Sequence, residues 1–327
     1  MGKHKMIKKL AFFLVVIMLL FVMVYSGLRI WESTVLYGEE EAAVTTVSKT
    51  ITRDGVEYFP RQDINVMMVL GIDQAGPVES SQYYRNNGSA DMIMLLIFDE
   101  KAETCSVVHL NRDTMLDMSV LGVRGEHAGT AYGQLALSHT YGTGLEDSCL
   151  NVKDTLEHFL PGLTIDHYVA MNMDAVTILN DALDGVTVHV QDDFSQVDPT
   201  IHQGEVTLHG DQALTFVQSR GKVGDQLNLS RMERQKEYMK HFMEELRDTL
   251  RSTDNFILQV YESIAPYIVS DMSMNTMDSM MERYQNYPVG ETVSLAGENR
   301  LGEESYEFYV DEEALETLIL ELFYAPK

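Results

Sequence analysis

Ile64–Asp73 reads INVMMVLGID, and this stretch decides the fold. It is an almost unbroken apolar run of strand length that closes on Gly71 and Asp73. Two more runs of the same kind follow, MIMLLIF at Met92–Phe98 and CSVVHL at Cys105–Leu110. A strand with one wet face alternates apolar and polar residues, so runs that do not alternate predict strands covered on both faces. Residues 74–90 hold Gly, Pro, Ser and Asn and predict a long loop between the first two strands.

Downstream, helices alternate with short strands. Asp147–Phe159 is amphipathic and stops at Pro161-Gly162, Tyr168–Asn172 is a short strand, Asp174–Leu183 is a helix closed by Gly185, and VTVHV at Val186–Val190 is a strand. Gly210-Asp211 opens a helix to about residue 220, and residues 227–250 form a long one with Asn228 and Ser230 as candidate caps. Tyr306–Val310 is a strand, and Asp311 begins a last helix whose acidic first turn suits the helix dipole. This order predicts an α/β domain with a mixed central sheet between helical layers, an αβα arrangement. Residues 62–327 form that domain. Residues 252–327 are short for a core of their own and are expected as its helical C-terminal extension.

Upstream, Leu10–Leu28 is uncharged over 19 residues, LAFFLVVIMLLFVMVYSGL. As a helix it would be about 28 Å long, close to the hydrocarbon thickness of a bilayer. Lys3, Lys5, Lys8 and Lys9 precede it, and Glu39, Glu40 and Glu41 follow. Positive charge stays inside, so residues 1–9 are expected as a cytoplasmic tail, 10–28 as a transmembrane helix and 29–61 as an extracytoplasmic stalk. Tyr25 and Trp31 suit the far interface. A signal peptide cleaved near Gly27 is the alternative, and both readings export the domain. The expected location is the cell membrane, single-pass, with the bulk of the chain outside.

The chain carries a net charge of -26, and residues 29–327 hold 20 basic against 50 acidic side chains. Nucleic-acid partners need a basic footprint, so this balance argues against them while leaving room for one small basic pocket that takes a single diphosphate. Cys105 and Cys149 are too few for a disulfide framework; one bridge or two buried thiols are the options, with thiols preferred. CxxC, HExxH, Walker-loop and GxSxG motifs are absent. His109, His139 and His167 are scattered and read as packing or surface residues.

Chemistry-bearing residues gather at strand ends and helix starts. Asp73 follows the first strand, Asp91 precedes the second, and Arg112 follows the third. Loops past strand ends form the ligand crevice of open α/β sheets. If the first two strands are antiparallel neighbours, Asp73 and Asp91 share one end of the sheet and can hold a hard cation such as Mg²⁺. Arg112, Arg220, Arg231 and Arg234 offer forked donors for phosphate oxygens, and Gln235 shares a helix face with Arg231. Each of these also has a plain reading, since strand-end acids are commonly turn residues and helical arginines are commonly solvated ion-pair partners.

The order of segments goes further than any one of them. GID, SADMIMLL, HLNRDT, DHYVAMN, LDGVTVHV, GDQALTFVQSR and SRMERQ, in this sequence, resemble the LytR–CpsA–Psr family over about residues 62–245. NRDT looks like the family's Pro-Arg-Asp-Thr, QSR like its Arg-Ser-Arg, and SRMERQ like its Gly-Arg-x-Glu-Arg-Gln. The resemblance implies a central sheet flanked by helices with a groove for a polyprenyl chain. It implies Asp73 and Asp91 as Mg²⁺-associated carboxylates, and Arg112, Arg220, Arg231 and Gln235 as contacts to a diphosphate. The implied reaction moves a phosphorylated glycopolymer from a polyprenyl diphosphate carrier to peptidoglycan, with Asp91 and Arg112 in catalytic roles.

Three basic positions of the family pattern are neutral here: Ser89, Gln134 and Gln218. Fewer cations stabilise a diphosphate less well, so Arg85 on the long loop, and Lys222, are expected to substitute. A non-catalytic binder of lipid-linked glycans, or a wall-assembly scaffold, is the competing reading.

Overall fold

Three strands laid down by those apolar runs form the centre of the molecule. The computed structural model describes residues 50–327 apart from 123, 225–227, 254 and 304. In chain order the elements are β1 (Ile51–Arg53), β2 (Val56–Pro60), β3 (Ile64–Ile72), β4 (Ala90–Asp99), β5 (Thr104–Leu110), β6 (Met115–Leu121), β7 (His127–Gln134) and a 3-10 turn at Leu135–Thr140. Then come α1 (Glu146–Phe159), β8 (His167–Met171), α2 (Met173–Ala182), β9 (Val186–Val190), β10 (Gly204–Leu208), α3 (Asp211–Gln218) and α4 (Asn228–Ser252). The C-terminal part holds α5 (Phe256–Ile264), β11 (Ile268–Ser270), α6 (Met274–Tyr284), β12 (Val289–Ser294), β13 (Gly297–Leu301), β14 (Tyr306–Val310), α7 (Glu312–Phe323) and β15 (Tyr324–Pro326).

The main sheet has six strands in the order β11-β8-β3-β4-β5-β12. β4 is antiparallel to both β3 and β5, while β8 and β12 run parallel to β3 and β5. The sheet is mixed and both faces are covered, as the continuous apolar runs require. Met67, Val69, Met94, Leu96 and Val107 point to one face and pack against Met239 of α4 and Met277, Met280 and Tyr284 of α6. The alternate residues Met68, Leu70, Ile93 and Leu95 are fully buried on the other face, where the 3-10 turn packs on β4 with α1 beside it. Each such side chain contributes about 1.5–3 kcal/mol when fully buried, so these central strands dominate the stability of the sheet.

Caps set the helix starts around this sheet. Asn172 Oδ1 accepts from the backbone N–H of Asp174 and Ala175 at the start of α2, and Asp311 Oδ1 accepts from Ala314 at the start of α7. Each such cap is worth about 1 kcal/mol.

The C-terminal 252–327 segment is more than a helical extension. It supplies both edge strands of the main sheet, β11 and β12. The folded unit also begins before residue 62, because β2 pairs antiparallel with β15, with Tyr58 opposite Pro326 and Pro60 opposite Tyr324. A Cβ at Gly162, where φ is +87°, would run into the Tyr324 ring, so this closure needs a glycine there. Cys105 and Cys149 are both buried free thiols. Burial pushes the Cys105 thiol up to about 12 and Cys149 higher still, so both are inert. The expected helix at 10–28 lies outside the described residues, as do residues 1–9 and 29–49. Among the described residues no helix is long and apolar enough to cross a membrane.

Candidate functional site

The register of the three central strands builds the site. Ile72 of β3 lies opposite Ala90 of β4, and Leu110 of β5 lies opposite Ile93. Asp73, Asp91 and Arg112 therefore leave the sheet at the same end. The start of α4 and the chain following α3 reach over this end and bring Arg231 and Arg220 to it. Convergence of these five segments follows from two antiparallel pairings and from α4 and the chain after α3 crossing this end of the sheet.

Asp91 faces three guanidinium groups. Its Oδ1 accepts from Arg112 Nη1 at 2.6 Å and from Ser89 Oγ at 3.0 Å, and its Oδ2 lies 2.8 Å from Arg231 Nη1 and 3.6 Å from Arg220 Nη2. Arg231 is 1% exposed. Burial lowers its pKa to about 10, Asp91 opposes that shift, and Arg220 and Arg112 reinforce it. It still carries its charge at neutral pH. Asn228 Oδ1 accepts from Arg231 Nη2, and Asn228 Nδ2 donates to Asn111 Oδ1 at 2.7 Å, so two buried amides lock this arginine to the end of β5. Arg112 lies between two acids, with its Nε 3.5 Å from Asp113 Oδ1. Burial raises the Asp113 pKa, against the pull of Arg112 and Arg231.

Donors without acceptors accumulate here. Asn111 Nδ2, Arg112 Nε and Arg231 Nε are buried and find no hydrogen-bond partner among the described residues; His109 Nδ1 and the acceptor Gln235 Oε1 are likewise unpartnered there. An unpaired buried polar group costs about 1–3 kcal/mol, so such a cluster suits a ligand rich in acceptor oxygens. His109 lies on β5 beneath α4 and is buried, with its pKa driven down to about 3 by burial and by the charges of Lys236 and Arg231. It is neutral and cannot contribute a charge to the site.

Beside this ring of charge lies a hollow of about 800 Å³. Asp73, Asp91, Gln218, Arg231 and Gln235 form its polar rim, while Met92, Met171, Met173, Val176 and Leu214 are among its apolar walls. Met171, Leu179, Met239 and Phe242 also line a second apolar space of about 1400 Å³ between the sheet and helices α4 to α6. The two spaces share these four side chains as walls, so the charged rim lies close to a larger apolar interior.

The structure brings Asp73, Asp91, Arg112, Arg220, Arg231 and Gln235 together. It does not bring Arg85 to them. Arg85 is exposed and its guanidinium stacks 4.7 Å from the centre of the Tyr141 ring. Lys222 is exposed in a left-handed turn with φ of +66° and does not line the hollow. Arg234 also faces elsewhere, held by Asp192 at 2.6 Å and by the carbonyls of Phe216 and Ser219. It lies three positions beyond Arg231, only about 60° around the helix, and Asp192 with the end of α3 draws its guanidinium away from Asp91. Of the neutral departures, Ser89 bonds Asp91, Gln218 reaches Met173 Sδ at 3.5 Å on the rim, and Gln134 donates to the Tyr306 carbonyl at 2.7 Å. Asn111 and Asn228 were missed as site residues. The first stood next to Arg112, and the second read only as a helix cap.

The donor chemistry fits Mg²⁺ under one condition. Among the described residues no group of three or more His, Cys, Asp or Glu could hold a metal ion unaided. Mg²⁺ is commonly held by one or two carboxylates together with phosphate oxygens and waters. Asp73 and Asp91 on one rim supply that much, provided a phosphorylated ligand supplies the rest.

Fold and rim together define an α/β protein with a guanidinium-crowded carboxylate at the mouth of an apolar hollow. Over residues 33–323 the sequence matches the LytR_cpsA_psr family, and the chain belongs to that family. Relatives include the polyisoprenyl-teichoic acid–peptidoglycan teichoic acid transferase TagU of Halalkalibacterium halodurans. It is 26% identical over 251 residues, covering 76% of this chain and 74% of that one. TagU of Oceanobacillus iheyensis is 24% identical over 294 residues, covering 86% and 83%. Among solved structures, TagT bound to LIIa-WTA shares the fold with a TM-score of 0.60 at 21% identity, covering 80% of this chain and 90% of that one. B. subtilis TagV gives 0.59 at 21%, covering 80% and 96%.

Proposed function

We propose that this chain is a transferase that moves a phosphorylated glycopolymer from a polyprenyl diphosphate carrier to peptidoglycan. It would do so outside the membrane, anchored by the N-terminal helix expected at residues 10–28. The observation that carries this reading is the juxtaposition of Arg112, Arg220 and Arg231 with an apolar interior that starts at the same rim. A lipid diphosphate is the ligand whose two halves need those two environments. Family membership and the names of the relatives support the same reading.

In this reading the isoprenoid lies along Met171, Leu179, Met239 and Phe242, and the diphosphate enters the arginine ring. Arg112, Arg220 and Arg231 turn part of their donors from Asp91 to phosphate oxygens, with Gln235 at the rim. A wall-sugar hydroxyl attacks the phosphorus next to the glycan, a new P–O bond forms, the bond to the bridging oxygen breaks, and polyprenyl phosphate leaves, with the hydroxyl proton passing to solvent or to the departing phosphate. Forked guanidinium donors offset the charge that builds on the leaving phosphate, which is most of what such chemistry asks of a protein. Arg112 and Asp91 act at the reacting phosphorus. Asp73 and Asp91 would hold Mg²⁺ with the diphosphate, which supplies further charge neutralisation.

The test is release of polyprenyl phosphate from a polyprenyl diphosphate-linked glycan by the full-length chain with Mg²⁺. The expected outcome is turnover that falls about 10²–10³-fold in Arg112→Ala, the usual loss when one charge-stabilising donor is removed. Tight binding of the lipid-linked glycan without release would support a binder instead.

A further inference from the structure

The hollow lies on the Asp91 and Arg231 side of the arginine ring and leaves the Asp113 side of Arg112 without a role. There Asp113 and Gln134 lead away from the ring, with Gln134 Nε2 3.4 Å from Asp113 Oδ1. Gln134 ends β7, and Tyr132 points the same way two residues earlier, about 7 Å along the strand. Tyr132 is 63% exposed. Ala128 and Thr130 continue that face and are also exposed, while Asp117 of β6 lies directly opposite Tyr132. The second hairpin, β13–β14, joins this one through the bridge between Thr114 and Phe308 and the bond from Phe308 N–H to the Asp113 carbonyl. It adds Tyr309, beneath the Arg300 guanidinium at 4.5 Å, and holds Gln134 through the Tyr306 carbonyl at 2.7 Å.

We propose that this shelf is the acceptor subsite and binds a neutral N-acetylated glycan strand, with Tyr132 stacking on one sugar ring. The proposal rests on the transferase reading given above and names where its acceptor lies. A sugar ring offers a flat C–H face and a rim of hydroxyls and amides. It needs one exposed aromatic plane with small polar neighbours, which is what β7 presents. A protein partner would need about 800 Å² per side around an apolar centre, and a lone Tyr among Ala, Thr and Asp does not supply one. Charge selects among glycans. Asp117, Glu298 and Glu307 outnumber Arg300 on this shelf, so a polyanionic polymer is repelled and an uncharged strand is not. At about 7 Å from Tyr132, Gln134 stands roughly one to two sugar units nearer the arginine ring.

The probe is a tetramer of N-acetylglucosamine, titrated calorimetrically into the full-length chain. Wild type is expected to bind, Tyr132→Ala to lose at least about fivefold in affinity, and Tyr132→Phe to keep it, because the ring and not the hydroxyl stacks. In the transfer reaction Tyr132→Ala is expected to raise KM for acceptor with kcat and lipid-donor affinity unchanged. No binding by wild type overturns the proposal. So does equal binding by Tyr132→Ala, a matching loss in Tyr132→Phe, preference for a phosphorylated polymer, or self-association that Tyr132→Ala abolishes. The two readings fail separately. Polyprenyl phosphate release without tetramer binding removes the subsite alone, whereas Tyr132-dependent tetramer binding without release removes the transferase.

Discussion

Arg231 and Arg234 sit three residues apart on α4, both buried, and live opposite lives. Arg234 has a partner carboxylate of its own, Asp192, and two backbone carbonyls, with Phe194 under its guanidinium at 5.6 Å. Arg231 shares Asp91 with two other arginines and keeps a buried N–H without a hydrogen-bond partner among the described residues. Burial alone does not mark a functional cation. What marks it is a partner with too few oxygens for the donors around it, because the shortfall is what a ligand can fill.

Breaking the two arginines in turn should separate the cases. Arg234→Met leaves Asp192 without its buried cation, and the expected loss is about 3–5 kcal/mol of stability in urea unfolding. Arg231→Met leaves Asp91 with Arg112 and Arg220, so stability should move by no more than about 1 kcal/mol while polyprenyl phosphate release falls at least about 100-fold. Equal losses of stability in both variants would erase the distinction.

His109 sharpens the comparison through pH. Its folded pKa, about 3, lies below the unfolded value of about 6.5. Between those values the unfolded chain binds a proton that the folded chain refuses. Its contribution to stability is therefore full above pH 6.5 and lost as the pH falls, by up to about 1.4 kcal/mol per unit. His109→Gln should flatten the wild-type decline between pH 7 and 5, measured as urea midpoints; parallel curves would place His109 outside the buried core. The smallest effect concerns the hollow. Leu179→Trp fills part of the space beside Arg231 and should weaken a long-chain polyprenyl diphosphate about tenfold while leaving a short-chain diphosphate unchanged in a binding titration.

The end of the sheet was legible because three continuous apolar runs placed Asp73, Asp91 and Arg112 at their tips; antiparallel pairing was only a condition of that reading, and the strand register supplies it. Arg231 and Arg234 were not separable, since their facing depends on where α4 crosses the sheet, which no local pattern encodes. β7, HAGTAYGQ, and β13, GENRL, escaped notice because small or charged residues on exposed hairpins carry no apolar period. Residues 51–60 read as stalk for a related reason: β2 is a strand only because the chain's last residues pair with it. Arg85 illustrates the opposite error. A charge on a long loop was assigned by need, and Tyr141 offered it a nearer partner.

The position of β11 and β12 at the two margins of the main sheet has a consequence for how the molecule is made. A nascent chain that has emerged only as far as β8 holds four paired strands with bare edges. One bare edge is β5, an apolar strand of seven residues, the kind most prone to pair with a neighbour. Strand partners for both edges arrive only with residues 268–294, which begin 97 residues after β8 ends at 171. Synthesis of this protein thus carries a vulnerable interval, and a chain cut short before β12 is expected to aggregate rather than to fold with part of its architecture intact.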